Sequence, residues 1–127
     1  MLRAGEDYLE TILQIEGSQE KSGVRITDIA RKLEVTKPSV IRAMKQLAAE
    51  GYIEQEAYGD IFLTEKGRLK ASQVLHRHAV LTSFFRDILC VSPEQAEKDA
   101  CLIEHYISPE SMEKLDAFVS SVLKGER

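Results

Sequence analysis

The chain has 127 residues, 43% hydrophobic and 30% charged, with a net charge of −4. That length fits one domain or two very small ones. No apolar run reaches the roughly 18 residues that cross a bilayer, residues 1–7 lack the apolar stretch of a signal peptide, and two cysteines are too few for a disulfide framework. A cytoplasmic protein with reduced thiols at Cys90 and Cys101 is expected.

Residues 5–17 predict a first helix, with Tyr8, Leu9, Ile12, Leu13 and Ile15 on its apolar side. Asp7 and Glu10 are spaced i, i+3 on an adjacent face. Acids this early also suit a helix N-terminus, which is reason enough for them if nothing else in the chain meets them.

Residues 26–50 predict two short helices across a tight turn, a helix-turn-helix. Thr27 is placed to cap a helix over 28–33, and Pro38 to open a second helix at its first position. Val40, Met44 and Leu47 make the second helix's inner stripe, with Ile41 beside them. Lys37, Ser39, Arg42, Lys45 and Gln46 face outward, with donors suited to phosphates and base edges. Residues 21–50 hold seven cations and three anions, +4 net, which leaves −8 on the rest. A basic face inside an acidic protein is the footprint of a local phosphate contact, or of a solvated helix surface.

Gly51 stops the second helix. Residues 52–57 and 61–63 predict two short strands around Tyr58-Gly59-Asp60, and a hairpin directly after a helix-turn-helix makes a winged helix. Arg25, ahead of the first short helix, and Tyr58, at the wing tip, join the candidate DNA contacts. Thr64 caps a long helix expected to run to about Leu89, with Leu69, Val74, Leu81, Phe85 and Leu89 among its apolar residues. That face exceeds the needs of a small winged helix, so part of it is expected to meet a second subunit. Ser92-Pro93 and Ser108-Pro109 start two further helices.

The helix from Pro93 carries Cys101, Glu104 and His105, a thiol, a carboxylate and an imidazole at i, i+3, i+4. With His78, Asp7 and Glu10 they form a candidate donor set from three helices, suited to a divalent first-row metal. One thiolate draws the set toward Fe²⁺, Co²⁺ or Zn²⁺, and three carboxylates favour Mn²⁺ or Fe²⁺. Iron meets both descriptions and manganese is next, while Zn²⁺ or Co²⁺ is expected to bind in vitro. Spacing by itself does not bring the three segments together.

Several stretches carry a family resemblance. They are Glu6-Asp7-Tyr8-Leu9-Glu10-Thr11-Ile12, the helix-turn-helix, Leu63-Thr64-Glu65-Lys66-Gly67, Arg77-His78 and Ala100-Cys101-x-x-Glu104-His105. In these the chain resembles the metal-dependent regulators of the diphtheria toxin repressor and manganese transport regulator family, in a short form ending near Arg127 without the SH3-like domain. The resemblance implies a mainly α fold, with a winged-helix DNA-binding domain over 1–72 and an all-helical metal-binding and dimerisation domain over 73–127. It implies metal ligands at Asp7, Glu10, His78, Cys101, Glu104 and His105, and operator contacts at Thr36, Pro38, Ser39 and Arg42. Asp7 and Glu10 match the manganese branch and Cys101 the iron branch, so the site is a hybrid. Thr82 stands where the iron branch has a second-site glutamate, and Glu97 where it has a histidine, so Glu97 is a candidate helper of a binuclear site.

The expected function is a homodimeric repressor of metal-ion homeostasis that binds palindromic operator DNA when loaded with Fe²⁺ or Mn²⁺, and not an enzyme. Three rivals stand beside it: a winged-helix regulator controlled by thiol oxidation at Cys101, a winged-helix dimer with no effector, and a metallohydrolase.

Overall fold

A computed structural model describes residues 3–57 and 59–125. The chain divides into two compact units, Met1–Gln73 and Val74–Arg127. Its helices are α1 (Arg3–Gly17), α2 (Ile26–Leu33), α3 (Lys37–Ala49), α4 (Glu65–Ser83), α5 (Pro93–Ile103) and α6 (Pro109–Leu123), and its strands are β1 (Ile53–Gln55) and β2 (Ile61–Leu63). The fold is therefore mainly α with one antiparallel hairpin, as the sequence predicts. Among the described residues, no helix is long and apolar enough to cross a membrane.

In the first unit the expected stripes close over one core. Leu9 and Ile12 of α1, Ile29 of α2, and Val40 and Met44 of α3 are fully buried together with Val24 and Ile61. The hairpin pairs Ile53 with Leu63 and Gln55 with Ile61. Val24 exchanges both backbone hydrogen bonds with Ile61, at 2.8 and 2.9 Å, which ties the segment before α2 to the hairpin.

Local chemistry sets most element ends. Thr36 caps α3 by accepting from the Ser39 N–H, and Ser92 and Ser108 cap α5 and α6 in the same way. In the turn between α2 and α3, Glu34 takes a left-handed backbone (φ 56°), a place that glycine often fills. The end of the hairpin is held against α4: Thr64 Oγ1 donates to the Gly51 carbonyl (2.6 Å) and accepts from the Gly67 N–H (3.1 Å). Gly67 lies so close to the Tyr52 carbonyl that a Cβ would collide with it.

Several expectations are corrected. Thr27 is no cap, because α2 starts at Ile26: the Asp28 and Ile29 N–H groups already bond the Arg25 carbonyl, and Arg25 is the N-cap. Pro38 is the second helical residue, after Lys37. Ile41 is 42% exposed, since it lies one residue, or about 100°, round the helix from the buried stripe. The first strand is shorter than 52–57, because Glu56 already belongs to the turn, its N–H bonded to the Asp60 carbonyl. The long helix does not run unbroken to Leu89, for Phe84–Ile88 is a π-helical turn. Leu69 and Leu89 are exposed in the single chain, within the apolar excess expected to meet a second subunit.

The second unit has its own small core of Val80, Met112 and Val119, with Phe84, Ile88, Ile107 and Leu115 packed on it. There α5 ends at Ile103, so Glu104 is its C-cap and His105 lies in the following turn, not on the helix proper. Tyr106 N–H bonds the Ile103 carbonyl at 3.0 Å, a tightened last turn ahead of Pro109. Because Glu104 keeps helical angles, the donor spacing carries into that turn.

Candidate metal centre and nucleic-acid interface

Within the second unit, α4 presents His78 to α5 and the turn that ends it. The Nε2 of His78 is 2.8 Å from Glu97 Oε1, and its Nδ1 is 3.2 Å from Glu104 Oε2 and 3.8 Å from Cys101 Sγ. His105 Nε2 is 3.4 Å from Glu104 Oε1. One donor atom each from His78, Glu97 and Cys101 lies within 4.8 Å of the others. Five of the predicted donors are thus brought together here.

Burial gives the cluster its character. Glu104 is only 2% exposed, and a carboxylate out of water is costly unless paired or bound to a cation. Here the Glu104 carboxylate beside Nδ1, helped by Glu97, holds the His78 imidazole protonated up to a pKa of about 9, against the opposing effect of burial. A proton on His78 and a divalent cation would answer the same excess of negative charge. Imidazole nitrogen, carboxylate oxygen and thiol sulfur at this spacing fit a first-row divalent ion. One turn beyond His78 on α4, the Thr82 hydroxyl is buried and has no hydrogen-bond partner among the described residues.

Asp7 and Glu10 sit on α1 in the first unit, both half-buried, with Arg3 3.8 Å from Asp7. The acid of α1 that sequence reasoning passed over is Glu6. It is 6% exposed and paired with Lys70 of α4 at 3.2 Å. A second ion pair, Glu16 with Arg68 at 2.7 Å, joins the same two helices. The signal for Glu6 lies in its position three residues before the buried Leu9, on the same face of α1.

The other predicted face lies on α3. Thr36, Lys37, Pro38, Arg42 and Lys45 are exposed and Ser39 is half-buried. Their polar groups are already ordered: Thr36 Oγ1 lies 2.9 Å from Ser39 Oγ, and the Arg42 guanidinium donates to Ser39 Oγ at 3.4 Å. Gln46 instead donates to Glu50 at 2.6 Å. Arg25 is exposed at the start of α2, and Tyr58 lies outside the described residues.

A helix-turn-helix followed by a wing, with an outward helix rich in donors, is the architecture of DNA-binding transcriptional regulators. The comparisons with known proteins narrow this class. The iron-dependent repressor N-terminal DNA-binding domain matches residues 1–61, and the iron-dependent repressor metal-binding and dimerisation domain matches residues 64–124. An uncharacterized HTH-type transcriptional regulator of Methanocaldococcus jannaschii is 32% identical over 94% of this chain and 94% of its own. The transcriptional regulator MntR of Escherichia coli O157:H7 is 37% identical over 89% of this chain and 69% of its own. The structure of the manganese regulator SloR matches with a TM-score of 0.79 at 28% identity, over 91% of this chain. This chain spans about half, 53%, of the length of SloR. The chain belongs to the iron-dependent repressor family, that of the diphtheria toxin repressor and the manganese transport regulators, whose members are transcriptional regulators and not enzymes.

Proposed function

We propose that this chain is a cytoplasmic, metal-dependent repressor that binds palindromic operator DNA as a homodimer when loaded with a divalent metal, Fe²⁺ first and Mn²⁺ next. The observation that carries the reading is the buried Glu104 carboxylate set among His78, Cys101 and His105. His78, Cys101, Glu104 and His105 are the ligands proposed from the helical unit. Asp7 and Glu10 are proposed as the ligands from α1, on sequence resemblance alone. A bound ion supplies positive charge that neutralises clustered carboxylates. The residues themselves do the selecting: the thiol of Cys101 favours softer ions and the carboxylates favour harder ones.

On the DNA side, Lys37 and Lys45 are proposed as phosphate contacts, and Arg25 and Tyr58 as further DNA contacts. Thr36, Pro38, Ser39 and Arg42 occupy the N-terminal half of the recognition helix, the part of such a helix that meets base edges. In a dimer the two recognition helices address half-sites about 34 Å apart or a multiple of that.

The test is operator binding by purified, chelator-stripped protein titrated with Fe²⁺ anaerobically and with Mn²⁺ in parallel. Strong stimulation by either ion is expected. Binding that no divalent ion alters would overturn the reading, and a response to peroxide that Cys101→Ser removes would put thiol control in its place.

A further inference from the structure

We infer that Glu97 is a positioning residue rather than a metal ligand: it holds the His78 ring by Nε2, so that Nδ1 faces the donor cluster. The inference rests on the metal-site reading above and refines which atoms serve it. An imidazole offers one nitrogen to an ion, and the other N–H is usually held by a carboxylate or carbonyl that fixes the ring's orientation. The two nitrogens of His78 have different surroundings. At Nδ1 stand Glu104 Oε2 at 3.2 Å and Cys101 Sγ at 3.8 Å, with His105 behind Glu104. At Nε2 the contact is Glu97 Oε1 at 2.8 Å, a good hydrogen-bond length.

Burial separates the two carboxylates in the same way. The Glu104 side chain is 2% exposed and that of Glu97 is 58% exposed. The donor-rich, water-poor side is therefore the Nδ1 side, and Glu97 lies at its solvent edge. Glu97 is also near Cys101, within 4.8 Å, which is the geometry that would let it ligate. Its carboxylate, however, engages the nitrogen opposite the one that Cys101 faces. One turn of α5 separates Glu97 from Cys101, so the same helix delivers both the ligand and the group that aims its neighbour.

The test uses the full chain loaded with Zn²⁺ and, separately, Mn²⁺. In protein with ¹⁵N-labelled histidine and Zn²⁺ bound, His78 is expected to carry metal on Nδ1 and hydrogen on Nε2. Glu97→Ala should weaken uptake by about 10–100-fold while the number of ions per chain stays the same. Glu97→Gln, which keeps an oxygen acceptor, should recover most of that loss. Because Glu97 is exposed, helical content should be unchanged in both variants. Metal on Nε2, or one ion per chain lost in Glu97→Ala, overturns the assignment and makes Glu97 a ligand. No uptake by the unaltered chain, or normal uptake by His78→Ala, overturns the metal-site reading itself and this inference with it.

Discussion

His78 is the residue on which the helical unit's charge balance turns. Its pKa is raised to about 9, first by Glu104 and then by Glu97, against an ordinary value of 6.5. A histidine whose folded pKa is raised stabilises the fold fully below its unfolded pKa and loses that contribution as pH rises through the folded one. Metal-free protein should therefore lose stability between about pH 6.5 and 9, and His78→Gln should flatten that decline. Denaturant midpoints measured across this range check it; parallel curves for the two proteins would remove His78 as the cause. Metal uptake needs the neutral imidazole, so affinity should rise with pH over the same window and binding should release a proton. His105, whose side chain is 1% exposed beside Glu104, provides a second prediction. His105→Ala should abolish metal-stimulated operator binding with folding largely intact, and a full metal response in that variant would remove His105 from the ligand set.

At the scale of elements, the winged helix depends on one close approach. Gly67 lets the first turn of α4 lie on the Tyr52 carbonyl, where Lys66 also stacks over the Tyr52 ring at 4.4 Å and donates to the Glu50 carbonyl at 2.7 Å. Gly67→Ala has no room, and overpacking of this kind costs about 1–3 kcal/mol. Thermal unfolding should show the loss, and an unchanged melting temperature would mean that α4 can move aside cheaply. The recognition helix α3 makes a separate prediction through Arg42, which extends from it at the surface. Arg42→Ala should weaken operator binding by about 1–3 kcal/mol while metal affinity of the free protein is unchanged. Loss confined to the operator would assign Arg42 to a base, whereas equal loss on random DNA would assign it to a phosphate.

For the whole molecule, the proposal is a statement about linkage. If metal raises operator affinity, operator must raise metal affinity by the same factor, typically about 5–150-fold. Mn²⁺ titrations of free protein and of protein saturated with operator should differ by the factor that DNA titrations with and without Mn²⁺ give. Unequal factors would mean that a further equilibrium, such as dimerisation, carries part of the coupling. Raising the salt concentration should weaken operator binding at every metal level, because the contacts proposed for Lys37 and Lys45 release counterions from the DNA.

What the sequence determined by itself is whatever is decided within three or four residues of chain. Ser92 and Ser108 at helix starts, Gly51 as a stop and the paired helices with a following hairpin are legible, because capping and amphipathic spacing are local effects, whereas the Thr36 cap on α3 was seen only in the structure. The donor residues could be named for the same reason, since Cys101, Glu104 and His105 are neighbours on one turn. Their meeting with His78 and Glu97 was not legible, because it depends on how α4 packs against α5. Tertiary structure alone decided that Glu104 is buried while Glu97 is exposed, and that each takes a different nitrogen of one ring. It also decided the π turn at Phe84–Ile88 and the exposure of Ile41, which stands beside a buried apolar stripe. An apolar residue is buried only if another element arrives to cover it, and that arrival is a property of the packed chain rather than of the residue's own neighbours.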